Sequence, residues 1–76
     1  MIKKLSEFTI GEKGIVKKIE CDSEIKRRMI DMGLVVGVEI ELKRIAPLGD
    51  PVQVSIRGYD LAIRKKECRS ILVEVE

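Results

Sequence analysis

The sequence predicts a mostly β fold of about five short strands, with one α-helix inserted after the first strand. Two segments carry most of this prediction. Val38, Ile40 and Leu42 alternate with charged residues, and the same alternation resumes from Val52 to Ile56. Such alternation is typical of a half-buried strand, because successive side chains point to opposite faces of a sheet. Only residues 23–33 have apolar residues at helical spacing, so they supply the helix.

The chain before the helix contributes a docking turn and the first strand. Leu5 and Phe8 flank a short polar turn that would place both side chains on the core. One face of the strand predicted at residues 13–21 is apolar: Ile15, Ile19 and Cys21. Lys17 interrupts this face, which predicts a strand that lies at the edge of the sheet or leaves the core midway.

Local signals bound the helix at both ends. Asp22 or Ser23 can cap its N-terminus by accepting a hydrogen bond from a free backbone N–H. The apolar residues at helical spacing are Ile25, Met29 and Met32. Gly33 predicts the helix end, since many helices stop at a glycine in the left-handed conformation. Leu34 would then contact Met29.

Turn signals separate the remaining strands. Ile45 is out of phase with Leu42, which predicts a bulge or a sharp bend near residues 43–44. Pro47 and Pro51 each fix φ, so the loop at residues 46–51 should be rigid. The chain ends with a turn at 58–60, a strand at 61–63, a helical turn at 65–70 and a strand at 71–75. Strands this short fit one strongly bent SH3-like β-barrel, with an OB-type barrel as the alternative.

Composition indicates a single folded domain over residues 1–76. Hydrophobic residues make up 45% of the chain, enough for a core despite 37% charged residues. The net charge of +2 gives no strong attraction to a polyanion. There are two cysteines and no apolar stretch long enough for a signal peptide or a membrane span. We therefore expect a cytoplasmic protein with reduced thiols and no membrane insertion.

A set of positions distributed through the chain resembles a known family. These positions are Gly11, Gly14, residues 28–37, residues 46–51, Gly58, residues 61–64, Glu67 and residues 71–73. In this order and spacing they are similar to the FeoA family, ferrous iron transport protein A, from Leu5 to Val73. The departures are mild: Ile10 and Val36 stand where the family often has proline.

The resemblance implies an SH3-like domain that acts as a cytosolic accessory protein in bacterial Fe(II) uptake. Its implied partner is the membrane Fe(II) transporter FeoB, bound through its cytosolic GTP-binding region. One alternative is an SH3-like regulatory domain related to iron-dependent repressors, although the chain would have no room for their DNA-binding region. A weak RNA-binding barrel is a further alternative, disfavoured because only Phe8 and Tyr59 could stack on bases.

The residues that most catalytic sites require are missing. The chain has no histidine, which removes the commonest general base and metal ligand. No phosphate-binding glycine loop is present either. We therefore expect no enzyme activity and no resident cofactor. Weak Fe(II) binding by Cys21, Cys68 and Glu67 stays open, but free cysteines usually behave as small buried hydrophobes, which favours a structural role.

Two segments are candidates for partner binding, one after the helix and one in the proline-rich loop. The candidate contact residues are Leu34, Val35, Val36, Pro47, Leu48 and Asp50. A rigid loop suits binding because it loses little conformational entropy. The alternative for residues 34–36 is that Leu34 and Val36 pack inward and Val35 alone is exposed. The chain is expected to be a monomer, or to self-associate weakly through an edge strand such as residues 13–21.

Overall fold

A computed structural model describes residues 1–76 as a six-stranded antiparallel sheet with two α-helices. The strands are β1 (Ile2–Lys4), β2 (Lys13–Ile19), β3 (Glu39–Ile45), β4 (Val52–Ile56), β5 (Tyr59–Ile63) and β6 (Ile71–Val75). The helices are α1 (Ser23–Asp31) and α2 (Lys65–Cys68), and a 3-10 turn covers Leu5–Glu7. The predicted class, a mostly β fold with an inserted helix, is confirmed. The helix follows the second strand rather than the first, because the short strand β1 precedes the strand that the sequence predicts.

The strand order is β1-β6-β2-β3-β4-β5, so β1 and β5 are the two edges and do not pair with each other. The sequence predicts no strand at β1, because three residues are too few to show alternation. Of the two alternatives predicted for the strand at residues 13–21, the edge position is wrong, since β2 lies between β6 and β3. Lys17 marks a bulge instead, where the register with β6 shifts between Val16 and Lys18.

This bulge decides which side of β2 faces the core. Val16 is fully buried and Ile15 only half-buried, the reverse of the predicted alternation. Past the bulge, Ile19 returns to the core face, and Cys21 packs against the core from beyond the strand. One extra residue reverses the phase of a strand, so the core position predicted for Ile15 fails for a local reason.

The predicted bulge in β3 lies between Leu42 and Arg44. It does not return Ile45 to the core as expected, since this residue at the strand end is 41% exposed. β4 and β5 form a hairpin whose turn residues, Arg57 and Gly58, have φ of 48° and 84°. Positive φ at both positions is characteristic of a type I′ turn, which matches the twist of the strands. The turn thus begins one residue before the predicted segment.

Helix α1 begins and ends where the sequence predicts. The Asp22 carboxylate accepts a hydrogen bond of 3.0 Å from a first-turn N–H. At the other end, Gly33 has φ of 95°, and its N–H donates to the Ile30 carbonyl at 2.9 Å. The Leu34 N–H donates to the Met29 carbonyl at 2.9 Å. This pair of bonds is a Schellman motif, and it directs Leu34 into the core with Met29.

Tyr59, the first residue of β5, covers the end of α1. Its hydroxyl donates a hydrogen bond to the Met32 carbonyl. A Cβ on Gly33 would overlap that hydroxyl, so the glycine supplies the space in which the tyrosine lies. The contact holds α1 against the β4–β5 hairpin.

The core is aliphatic and continuous through the sheet, α1 and the 3-10 turn. Its buried residues are Leu5, Phe8, Val16, Ile19, Met29, Leu34, Val38, Ile40, Leu42, Val52, Val54, Ile56, Ile63, Cys68, Ile71 and Val73. Leu5 and Phe8 are both members, which confirms the predicted docking turn. At about 0.8 kcal/mol for each buried methylene, these side chains supply most of the driving force for folding.

We predict that Gly33→Ala destabilises the fold more than Gly37→Ala does. Both glycines have nearly the same positive φ, 95° and 96°, but a Cβ at Gly37 meets no atom within 4 Å. The left-handed conformation should cost either variant about 1 kcal/mol, and displacement of Tyr59 should add about 1–2 kcal/mol at Gly33. Urea unfolding of the two variants measures the difference between their stability losses. In a background that carries Tyr59→Phe, this difference should be smaller. Equal losses would contradict the role given to this contact.

Candidate functional site

The apolar segment after α1 divides between core and surface. Leu34 is fully buried, Val35 is half-buried against the core, and Val36 is 59% exposed. The Schellman ending directs Leu34 inward, and the Val38 N–H then bonds the Val35 carbonyl at 3.3 Å as the chain turns into β3. Leu34 therefore offers no surface to a partner. The alternative in which Val36 packs inward is also wrong.

The loop from Ala46 to Pro51 is closed by its own backbone. The Ala46 N–H donates to the Pro51 carbonyl at 3.1 Å, and the Gly49 N–H donates to the Ala46 carbonyl at 2.7 Å. The Asp50 carboxylate accepts from the Lys65 N–H at 3.0 Å, which fastens the loop to α2. These bonds agree with the expected rigidity, and they give Asp50 a structural task.

Leu48 lies at the tip of this loop and is 97% exposed, with Pro47 exposed beside it. Below the loop, an open groove of about 340 Å³ crosses the outer face of β3, β4 and β5. Its lining includes Arg44, Gln53, Asp60, Leu61 and Ala62. We call Pro47, Leu48 and this groove the loop surface. Leu48 is the most exposed large hydrophobic residue of the chain, which makes the loop surface a candidate contact for a partner.

Val36 and the loop surface lie at opposite ends of β3. Val36 stands shortly before the strand and Pro47 shortly after it, so seven strand residues separate them. At about 3.3 Å for each residue, that distance is about 20 Å. The two predicted segments therefore do not form one continuous patch. Val36 instead follows the end of α1, where Ile30 and Tyr59 are also exposed, and we call these three residues the helix-end patch.

The three candidate metal ligands are not assembled into a site. No group of three or more Cys, Asp or Glu side chains is placed to hold a metal ion. Glu67 is only 7% exposed, and both its oxygens are engaged. Oε2 accepts from the Arg28 guanidinium at 2.5 Å, and Oε1 accepts from the Arg64 N–H at 3.3 Å. The carboxylate therefore joins α1 to α2 rather than facing a ligand.

The surroundings of both cysteines favour a structural role over metal binding. Burial, together with the negative charges of Glu67 and Asp50, raises the pKa of the Cys68 thiol to about 11. The thiolate is the form that binds metal, so Cys68 is a poor ligand at neutral pH. Cys21 is half-buried and packs against the core.

Two contacts that shape the surface are invisible to sequence reasoning. Arg28 has basic neighbours in the sequence, Lys26 and Arg27, yet it pairs with Glu67, 39 residues away. Tyr59 and Gly33 show no pattern that links them. Each contact depends on how two distant segments pack, and a single sequence carries no signal for that.

A small, mostly β fold built around an aliphatic core places the chain in the SH3-like class of domains. It is similar to Stenotrophomonas maltophilia FeoA in complex with zinc, which is described as a prokaryotic SH3 domain protein. The identity is 25% over 95% of this chain and 89% of that one, with a TM-score of 0.80. The FeoA domain model matches residues 3–75, and the chain belongs to the FeoA family, which is associated with ferrous iron transport.

Two solution structures and one curated relative are also similar to the chain. FeoA from Chlorobium tepidum is 37% identical, with a TM-score of 0.91 over 96% of this chain and 70% of that one. The FeoA-like protein of Clostridium acetobutylicum is 43% identical, with a TM-score of 0.87 over 97% and 86%. In Porphyromonas gingivalis, the relative is a fusion of Fe(2+) transport protein A with the Fe(2+) transporter FeoB. It is 32% identical over 95% of this chain, which spans only 8% of the fusion.

Metal-dependent repressors share the fold alone. A manganese-dependent transcriptional repressor in complex with manganese has a TM-score of 0.91 but only 17% identity, and this chain covers 37% of it. The iron-dependent repressor alternative therefore rests on shape, whereas the FeoA assignment rests on sequence as well. None of the helices has the length and apolar character needed to cross a membrane.

We predict that the two thiols react at very different rates. In a Cys21→Ser variant the remaining Cys68 should react with a thiol reagent at pH 8 about 100-fold more slowly than an ordinary cysteine, because its raised pKa depletes the thiolate. In a Cys68→Ala variant, the less buried Cys21 should react without denaturant. Rapid native labelling of Cys68 would contradict the burial described here.

The same pKa predicts a pH dependence of stability. Between pH 9 and 11 the unfolded chain releases the Cys68 proton and the folded chain keeps it, so the free energy of unfolding should fall as the pH rises. The loss should approach about 2 kcal/mol. Cys68→Ala lacks this contribution, so the stability difference between wild type and variant should shrink across the range. A constant difference would contradict the raised pKa.

Proposed function

We propose that this chain is a cytosolic accessory domain of bacterial Fe(II) uptake, spanning residues 1–76, that binds the cytosolic region of the transporter FeoB. The fusion in Porphyromonas gingivalis carries this proposal, because it places an FeoA relative and FeoB in one polypeptide. A covalent link raises the effective concentration of two modules for each other, which is useful when they bind.

The surface chemistry supports binding rather than catalysis. The loop surface presents Leu48 on a backbone already closed by hydrogen bonds, so ordering it on binding costs little. The helix-end patch offers a second contact through Val36. The molecule measures 29 × 26 × 22 Å, and a standard interface covers about 800 Å² on each partner. One partner could therefore reach both patches.

Binding alters the transporter only if the domain prefers one of its states. A ligand shifts an equilibrium by its difference in affinity for the two states and by nothing else. FeoB is expected to alternate between nucleotide states in its cytosolic GTP-binding region, and this region is the proposed partner. An effect on transport therefore requires affinities that differ between the GDP and the GTP forms.

An anaerobic binding assay with full-length, detergent-solubilised FeoB tests the proposal. The measurement is made without nucleotide, with GDP and with a GTP analogue. Saturable binding that changes with nucleotide supports modulation of the GTPase cycle. Saturable binding with the same affinity in all three nucleotide conditions supports a role in assembly or stabilisation. No binding at tens of micromolar would refute FeoB as the partner.

We predict that Leu48→Glu weakens binding to FeoB by at least about tenfold, because it replaces an apolar contact by a carboxylate that would lose its water in the interface; losing an important contact typically costs about 1–2 kcal/mol or more. Val36→Glu tests the helix-end patch in the same way. Ile10→Glu is the matched control, since Ile10 is 64% exposed and lies outside both patches. All three variants should keep the wild-type unfolding midpoint. Equal affinities for Leu48→Glu and wild type would place the interface elsewhere.

A further inference from the structure

Strand β5 leaves one whole side of its backbone without a partner. It pairs only with β4, and it contains neither proline nor a bulge, two common protections of exposed edges. No turn or loop hydrogen bond involves any residue of β5 through its backbone. Asp60 and Ala62 are exposed along this edge.

The register identifies which backbone groups are free. Leu42 bonds toward β2, through the Glu12 carbonyl and the Gly11 N–H, so it is Glu41 that bonds toward β4. Bonding alternates along antiparallel strands. The same alternation continues from β3 to β4 and from β4 to β5. It leaves the backbone N–H and C=O groups of Asp60 and Ala62 directed away from β4, toward the free edge of the sheet. The two-residue hairpin turn gives the same answer, because its flanking residues form a bonded pair.

We propose that a second copy of this chain pairs with β5, antiparallel, about a two-fold axis at Leu61. In this register Asp60 of each copy lies opposite Ala62 of the other. Each such pair exchanges two hydrogen bonds, so four backbone bonds form and every outward group of both residues is used. The result is one continuous sheet with six strands from each copy. This inference does not rest on the proposed function, but a second copy at β5 would cover the groove of the loop surface, so it would compete with FeoB for that part of the surface.

The side chains on the outer face fit this pairing. Arg44, Gln53 and Ala62 stand in one row across β3, β4 and β5. The partner copy's Asp60 would extend the row, passing over the small Ala62 toward the groove. There it approaches the positive charge of Arg44, which has no salt bridge within its own chain. The Gln53 amide beside it already donates to Asp60 of its own chain at 2.9 Å, so Arg44 is the group that the partner copy's carboxylate would pair with. Opposite charges across strands stabilise pairing.

The other edge is less suited to this pairing. β1 has only three residues, and the bond from the Val75 N–H to the Met1 carbonyl leaves Ile2 and Lys4 directed outward. The Lys4 N–H is already bonded to the Glu7 carboxylate at 2.9 Å. The edge at β1 thus has fewer free groups than the edge at β5.

Sedimentation equilibrium tests the proposal on the whole chain. A contact this small gives weak association, so the weight-average mass should rise toward twofold between about 0.05 and 2 mM. Ala62→Pro removes one outward N–H and leaves the bonds to β4 intact, and it should remain monomeric throughout. Ile2→Pro, the matched change at the β1 edge, should associate like wild type. Asp60→Lys, which puts like charges opposite Arg44, should also be monomeric and serves if the proline variant is misfolded.

Backbone amide NMR over the same concentrations locates the contact. Asp60 and Ala62 should shift with concentration, whereas the amides of β1 should not. A constant mass would overturn the proposal, as would association that persists in both β5 variants or is abolished by Ile2→Pro. If the β5 amide shifts do not change with chain concentration but do change on addition of FeoB, the edge of β5 binds the transporter instead of a second copy.

Discussion

The left-handed turn at Gly33 determines the path of the chain after α1. It ends the helix, sends Leu34 into the core and starts the approach to β3. Tyr59 occupies the space that a side chain at Gly33 would fill, so the helix and the β4–β5 hairpin are held by one contact. Because β3 and β4 carry the loop surface between them, the position of that surface depends on the same turn.

Features encoded within a few residues were predictable. The cap at Asp22, the stop at Gly33 and the bulge near Arg44 each depend on local chemistry, and each lies where the sequence indicates. Features set by packing were not. The bulge at Lys17 reverses the phase of β2, so Val16 rather than Ile15 is buried. No residue near Lys17 indicates in the sequence that the strand contains an extra residue there.

The same distinction applies to the candidate site. Pro47 and Leu48 were predictable as an exposed, rigid loop, because proline fixes the backbone and the flanking strands direct the turn outward. The burial of Leu34 and the separation of Val36 from the loop depend on strand length and on the helix ending. The pairing of Glu67 with Arg28 depends on how two helices meet, and it withdraws the carboxylate from metal binding.

The loop surface is the contact that we propose for FeoB. The most direct measurement is a methyl NMR titration of the chain, labelled at Ile, Leu and Val, with unlabelled full-length FeoB in detergent. We expect the Leu48 methyl signals to broaden first, with those of Val36 next, while Ile10 and Ile2 keep their intensity until the complex is saturated. Uniform intensities, or broadening that begins at Ile10 or Ile2, would contradict it.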